Sequence, residues 1–433
     1  MQSSKLRKRV VVIGGGFGGI AAAKALARAP VHVTLVDRSN HYLFQPLLYQ
    51  VAMAGLAPNE IATPIRSVLR HVDNARVLLA EVTQVDLAAR RVFTRECTAL
   101  EYDYLVLAPG AVNSYFGHPE WERFAPGLKS LDDALRIRSH VLLSFEQAEN
   151  EADTSEHDKL MTIVVVGGGP TGVELAGSFA ELTRTVLKRD FRRIDPTQAR
   201  IILIEASPGL LANFPPDLSA SARRQLEALG VQVRTGTSVK DIREGEVELA
   251  GGEIIPAANI VWAAGVSASP LTKKLGVDLD RAGRVKVNPD LSLPGHPEIF
   301  AIGDMALVLQ ADGRPVPGVS PAAMQMAGLV AKIIKQEAMF GAKSAARPAF
   351  KYWDKGTMAT IGRSAAVAWI GKLKFSGLLA WLAWLFIHLI FLIGFRNRSS
   401  VFFQWAYSYF SYKRSARLIT NLPPPTAPQL TPP

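Results

Sequence analysis

The sequence predicts an α/β protein in which two similar strand–helix–strand units precede an α-helical module. Three observations carry the prediction. A β-branched strand, a glycine turn and an Ala-rich helix fill residues 9–38, and the same order returns at 162–205. Beyond Ala349 the composition turns apolar, aromatic and basic. The 433 residues also exceed what one hydrophobic core usually organises, so two or three domains are expected.

In the first unit the strand is Arg9–Ile13, the helix runs from about Phe17 to Ala29, and the second strand, Val31–Val36, ends at Asp37. Short β-branched runs around such a helix mark a βαβ unit, which requires a parallel sheet. In the second unit the strands are Ile163–Val166 and Arg200–Ile204, and the helix is longer, from about Thr171 to Lys188. The acid-rich stretch Glu146–Lys159 reads as an exposed helix end and loop. Strands at Tyr104–Leu107, Ile260–Trp262 and Ile299–Ile302 each run into a small-residue turn, the place where parallel-sheet proteins bind ligands. The units share a pattern rather than a short period, which excludes a solenoid.

Apolar residues at 48% and charged residues at 20% are those of a globular enzyme, not a disordered chain. The single cysteine, Cys97, excludes an internal disulfide and a redox-active cysteine pair, so electron chemistry must sit on a cofactor. Lys5, Arg7, Lys8 and Arg9 precede only Val10–Ile13 before glycines begin, too short for a signal peptide, and the body is expected in the cytoplasm. His41, His71, His118, His140 and His296 are scattered singly, none at zinc-ligand spacing, so no metal is expected.

Gly14-Gly15-Gly16-Phe17-Gly18-Gly19 fits G-x-G-x-x-G between a strand and a helix. Gly14 permits the tight turn, Gly16 lets the backbone approach a pyrophosphate, and Gly19 lets helix and strand pack closely. The anion then meets free N–H groups and the positive end of the helix dipole. Asp37, 18 residues after Gly19, ends the second strand, where a carboxylate accepts ribose hydroxyl protons. The second fingerprint is Gly167-Gly168-Gly169-Pro170-Thr171-Gly172, with Glu205 as its acidic partner. A carboxylate there repels a 2′-phosphate, and no Arg or Lys follows in Ala206-Ser207-Pro208, which favours NADH over NADPH. Two Rossmann-like fingerprints mean two dinucleotides, one held as a prosthetic group and one arriving as a substrate.

With both fingerprints the chain resembles the two-dinucleotide flavoproteins, in which FAD uses the N-terminal unit and NAD(P)H a second unit inserted into the first. Their late strand ends in Gly-Asp, near the flavin's ribityl and phosphate portion, and Phe300–Asp304 matches it here. Asn40–Ala52 (NHYLFQPLLYQVA), Leu107–Ala111, Gly167–Gly177 (GGGPTGVELAG), Trp262–Val266 and Gly394–Arg398 (GFRNR) are similar to the type II NADH dehydrogenases. These are single-subunit, non-pumping NADH:quinone oxidoreductases, and the matching stretches span most of the chain.

The resemblance implies non-covalent FAD at Gly14, Gly16, Phe17, Gly18, Gly19, Asp37, Val82, Ala108, Gly110, Gly303 and Asp304. It implies NADH at Gly167, Gly169, Pro170, Thr171, Gly172, Glu174, Glu205, Ala264 and Gly265. Glu174 is implied as catalytic, beside the nicotinamide and flavin rings; the alternative is a first-turn acid favoured by the helix dipole. Quinone is implied at Phe44, Pro46, Ala323 and Gln325. The family's quinone motif A-Q-x-A-x-Q reads Ser320-Pro-Ala-Ala-Met-Gln325 here, so Ala323 and Gln325 match while Ser320 and Pro321 depart. Pro321 suits a first helical turn, and Gln325 reads equally as a helix-surface amide. The expected domains are an FAD domain at 1–128 and 283–348, the latter with the quinone-site helix, an NADH domain at 129–282, a membrane-anchoring module at 349–421 and a disordered Pro-rich tail at 422–433. A homodimer is implied as well.

From Lys351 to the end, ten Lys or Arg face one acid, Asp354, so this segment carries nine of the eleven net positive charges. These cations flank apolar sequence, which points to anionic lipid rather than nucleic acid. Phe375–Phe395 is 21 residues without a formal charge, His388 aside, and as one helix would span about 32 Å. Lys372 and Lys374 before it and Arg396 and Arg398 after it give no inside–outside asymmetry. Phe402, Trp405, Tyr409 and Tyr412 follow on one helical face, the composition of an interfacial belt. The family attaches as a monotopic protein, and that is the expectation here, on the cytoplasmic face.

Other readings share part of this pattern. A ferredoxin- or rubredoxin-type reductase has both fingerprints, but a lipid-directed tail argues against a purely soluble electron partner. A sulfide:quinone oxidoreductase needs several cysteines. A non-catalytic NADH-binding redox sensor would show no steady turnover with quinone.

Overall fold

This computed structural model describes residues 7–96, 99–341, 346–411 and 416–419. Lys5, Cys97, Tyr412 and the Pro-rich stretch at 422–433 lie outside the described residues. The chain forms two compact units. The first runs up to Phe44, resumes over Ala62–Ser114 and closes with Gly265–Gly356. The second takes Gln45–Ile61, Tyr115–Ala264 and the residues from Thr357 onward.

The first unit is built on a six-stranded sheet in the order Ser292–Leu293, His296–Ala301, Tyr104–Leu107, Lys8–Ile13, Val31–Asp37, Ala75–Leu79. All neighbours are parallel except the first pair. Strand order reverses at Lys8–Ile13, so the carboxyl end of this strand is a topological switch point, where open α/β sheets bind ligands. Val10–Ile13 are buried on both faces, as a central parallel strand requires; each such side chain contributes about 1.5–3 kcal/mol. The following helix is Phe17–Ala25, shorter than expected. Pro30 disfavours helical backbone at Ala29, and the chain leaves the helix through Arg28 with φ 63°.

The second unit repeats the plan with four parallel strands in the order Val231–Thr235, Arg200–Glu205, Thr162–Val166, Asn259–Trp262. The helix after the strand Thr162–Val166 is α-helical over Pro170–Glu181 and widens into a π turn at Leu182–Val186. The stretch expected as helix end and loop holds a second short helix. Leu131–Asn150 stops, Asp153 caps the Ser155 N–H at 2.9 Å, and Thr154–Leu160 follows.

Ala111–Asn113 and Val266–Ala268, the strands leading out to the second unit and back, pair antiparallel with each other in the first unit. The compact units change over at 114/115 and 264/265.

The C-terminal residues belong to the second unit. They form an antiparallel sheet of Thr357–Gly362, Ala365–Ile370 and Leu373–Ser376, then helices Leu378–Phe391 and Phe395–Ser411. The apolar run Phe375–Phe395 is therefore not one helix. Its first residues finish a strand, Gly377 turns at φ 66°, and Gly394 turns again at φ 92°. The 14-residue helix left between them is about 21 Å long. Among the described residues, no helix is long and apolar enough to cross a membrane. The expected aromatic face is also redrawn. Trp405 turns inward, its indole N–H donating to the Gln50 Oε1 at 2.8 Å, whereas Tyr409 lies tilted against Trp381 at 5.5 Å and stays exposed. Phe402 and Tyr409 of that face are exposed as expected, joined by Phe395, Phe403 and Phe410.

Candidate functional site

The first glycine turn is fixed by contact. Gly14 has φ 102°, and a Cβ there would stand 2.2 Å from the Ala108 carbonyl oxygen, so only glycine fits. A Cβ on Gly19 would stand 1.8 Å from the Gly14 carbonyl oxygen, which seats the helix directly on the turn. Gly16 has nothing within 4 Å on that side. As N-cap it offers no side-chain acceptor, and no acid sits in the first turn, so the helix N–H groups stay available to an anion. Asp37 closes the turn. Its Oδ2 accepts the Gly15 N–H at 2.5 Å and its Oδ1 the Ser39 N–H at 2.6 Å. An open glycine, uncapped N–H groups and a fixed carboxylate fit the pyrophosphate and ribose of a dinucleotide such as FAD.

The second turn repeats this geometry. Gly167 has φ 114°, and its Cβ would stand 2.6 Å from the Ala263 carbonyl carbon and the Ala264 nitrogen. A Cβ on Gly172 would lie 1.8 Å from the Gly167 carbonyl oxygen, and Gly169 is open. Pro170 starts the helix, where its missing N–H costs nothing, and Thr171 is exposed beside it. Glu205 accepts the Gly168 N–H at 2.5 Å and the Ser207 N–H at 2.7 Å. Sequence reading missed these carboxylate clamps because they use backbone N–H groups, which leave no residue-type signal.

Glu174 is the fifth residue of Pro170–Glu181, beyond the first turn, so the dipole alone does not account for it. Its side chain keeps some accessible surface, but the carboxyl itself is ringed by protein. Oε1 faces the Thr360 N–H at 3.4 Å. The Trp384 indole, on the helix Leu378–Phe391, favours the charged form. Burial outweighs both and pushes the Glu174 carboxyl up to about 8, so it holds a proton at neutral pH. The helix touches the C-terminal sheet at Gly177, where a Cβ would stand 1.5 Å from the Ile361 carbonyl oxygen. The GVELAG stretch thus combines a nucleotide glycine, a proton-holding acid and a packing glycine.

The remaining positions divide by unit. In the first, Phe17 lies edge-on to Tyr42 at 5.3 Å and to the buried Phe44 at 5.9 Å. Ala108 lines the Gly14 turn, Gly18 is buried beneath it, Gly110 turns at φ 73°, and Val82 opens a half-buried edge strand. Gly303 turns at φ 71° and donates its N–H to the Met326 Sδ at 3.2 Å, with Ala323 against the same turn; Asp304 is half-buried beside it. Pro321 sits in the first turn of Ser320–Phe340, and the helix forms as expected. Gln325 is committed to backbone. Its Nε2 donates to the Trp353 carbonyl and its Oε1 accepts the Trp353 N–H, both at 3.0 Å. Gly265 turns at φ 88°. In the second unit, Ala264 follows the strand Asn259–Trp262, and Pro46 lies half-buried in a short turn.

Two parallel sheets with one glycine cradle each define a two-dinucleotide oxidoreductase. A family model described as pyridine nucleotide-disulphide oxidoreductase matches residues 8–327, and one for the NDH2 C-terminal domain matches residues 354–413. The chain is 48% identical over 426 residues to the type II NADH:quinone oxidoreductase Ndh of Mycobacterium tuberculosis, covering 96% of this chain and 91% of that protein. It is 45% identical to NdhA of the same organism, covering 96% and 90%. Among solved structures, NDH2 from Plasmodium falciparum in complex with NADH superposes with a TM-score of 0.85 at 21% identity, covering 96% of this chain and all of that one. The chain belongs to the type II NADH:quinone oxidoreductases. It is an FAD-dependent enzyme that oxidises NADH and reduces a quinone.

Proposed function

We propose that the two cradles divide the nucleotides, FAD at Gly14–Gly19 with Asp37, Gly303 and Asp304, and NADH at Gly167–Gly172 with Glu205. The second nucleotide domain is in this reading an insertion in the first. Bound FAD supplies the two-electron redox chemistry that no side chain here provides. The glycines hold phosphates, Asp37 and Glu205 hold ribose hydroxyls, and Glu205 turns away a 2′-phosphate. The observation that carries the reading is Glu174, a buried carboxyl on the helix of the second cradle that keeps its proton at neutral pH. Such a group can give a proton to the quinone oxygen during reduction. Phe44, Pro46, Ala323 and Gln325 are the proposed quinone positions, with Gln325 also tying down Trp353.

The apolar stripes of the last two helices, flanked by Lys372, Lys374, Arg396 and Arg398, suit a monotopic attachment to anionic lipid at the cytoplasmic face. A homodimer that does not bind nucleic acid completes the reading.

Stopped-flow kinetics test it by half-reaction. Glu174→Gln should slow quinone-driven reoxidation on the order of 100-fold and remove an alkaline limb near pH 8. Gln325→Ala should leave reduction by NADH intact and slow reoxidation less. Reoxidation of Glu174→Gln at the parent rate overturns the acid role; the same result for Gln325→Ala removes Gln325 from the quinone site.

A further inference from the structure

The last segment of the first unit displays a tryptophan. Residues 351–356 are neither helix nor strand, yet the stretch is tied at three points. The Phe350 N–H donates to the Pro289 carbonyl at 2.7 Å, Gln325 holds Trp353, and the Asp354 Oδ1 accepts the Gly356 N–H at 2.8 Å. Gln325 pairs with residue 353 as a neighbouring strand would, accepting its N–H and donating to its carbonyl, both at 3.0 Å. These bonds use backbone alone, so any residue but proline could make them. They account for a fixed segment, not for an indole. The Trp353 side chain is left 71% exposed, although tryptophan is on average highly buried. The Lys355 Nζ stands 5.4 Å from the ring centroid, a cation–π contact that steadies the ring. The helix turn that holds Trp353 also grips the Gly303 turn. The Met326 Sδ accepts the Gly303 N–H at 3.2 Å, and the Ala323 Cβ lies 3.4 Å from where a Gly303 Cβ would stand. Ala323, Gln325 and Met326 fall within about 5 Å along the axis of Ser320–Phe340.

We propose that Trp353 is a quinone-binding residue: its exposed indole stacks on the quinone ring, and Gln325 is the positioning residue that holds it in place. The proposal rests on the reading that puts the quinone at Ala323 and Gln325. A quinone ring is electron-poor, because two carbonyls withdraw density from it, while an indole face is electron-rich, so offset stacking between them is favourable. An aromatic ring already fixed by its backbone and by Lys355 loses little freedom when it takes up a ligand. The Gln325 amide, its oxygen and nitrogen both engaged by residue 353, acts on the quinone through Trp353. The two fused rings of indole overlap a naphthoquinone more fully than a benzoquinone, so Trp353 also biases the choice between them.

The test uses the full-length FAD-loaded protein with a short-chain benzoquinone and a short-chain naphthoquinone. Trp353→Ala should raise the naphthoquinone KM about tenfold and the benzoquinone KM less, with kcat near the parent value. Trp353→Phe keeps a ring and should recover most of the loss. Gln325→Ala should raise the same KM, and adding it to Trp353→Ala should cost nothing further. Apart from turnover, protein carrying 5-fluorotryptophan should show one ¹⁹F resonance, assigned by its absence in Trp353→Phe, that shifts as naphthoquinone is added to the oxidised enzyme. A parent KM in Trp353→Ala, an equal loss for the two quinones, or a Trp353 resonance indifferent to naphthoquinone overturns the proposal. So does weaker flotation of Trp353→Ala with anionic vesicles at an unchanged naphthoquinone KM, which makes the indole a lipid anchor. If Gln325→Ala raises the KM and Trp353→Ala does not, the quinone reading stands and this proposal falls. If neither substitution changes it, both fall together.

Discussion

The two cradles coincide position for position through their glycines and then part company along their helices. Gly14, Gly16 and Gly19 match Gly167, Gly169 and Gly172 in φ sign, in open space and in the carbonyl each would strike. Asp37 and Glu205 are clamped by the same pair of backbone N–H groups. Two residues past the last glycine, however, the first helix has Ala21 and the second has Glu174. Three residues later the first has an exposed Lys24, and the second has Gly177 against the Ile361 carbonyl. In the proposed reading phosphate binding is thus a property of the turn, which the units share. Proton chemistry and docking of the C-terminal sheet are properties of the helix face, which they do not.

The largest effect should come from breaking the shared part. Gly19→Ala and Gly172→Ala each put a Cβ 1.8 Å from a carbonyl oxygen, so each cradle should fail for its own nucleotide. Gly19→Ala should purify without FAD. Gly172→Ala should keep FAD, by absorbance, but lose reduction by NADH by roughly 100-fold or more. Normal NADH reduction in Gly172→Ala would show that the cradles are not equivalent.

Next comes the part that differs. Gly177→Ala forces helix and sheet apart and should cost about 2–4 kcal/mol, seen as a lower thermal midpoint and weaker flotation with anionic vesicles. Its counterpart Lys24→Ala should stay within about 0.5 kcal/mol. Equal effects would erase the contrast between the helices.

The smallest effect concerns the acids. Glu205→Ala should narrow the NADH-over-NADPH preference in kcat/KM by about tenfold, some 1.4 kcal/mol. Asp37→Ala should weaken FAD retention without touching that preference. A shift in preference from Asp37→Ala would reverse the assignment of the two nucleotides.

Both cradles were legible because their signals are local: a glycine spacing, an adjacent strand and an acid at the next strand end all fall within about 40 residues. The C-terminal sheet was not. Thr357–Gly362 and Ala365–Ile370 are short and join a helix whose sequence gives no sign of them except Gly177. Trp384 against Tyr49 and Trp405 on Gln50 are contacts between distant stretches of chain, and periodicity cannot name a partner. The break in Phe375–Phe395 did leave a mark, since Gly377 and Gly394 bracket the helix. Hydropathy counts both as permissible in a span, whereas their positive φ ends the helix at each side.

Gly177 also bears on modularity. A peripheral tail that merely trails behind a catalytic body could be moved to another flavoprotein by gene fusion. Here the sheet's backbone occupies the volume where a side chain would stand on the eighth residue of the second-cradle helix. A recipient with any larger residue there would reject the graft, however good its linker. The C-terminal module and the helix Pro170–Glu181 have therefore to be inherited, or engineered, as a matched pair.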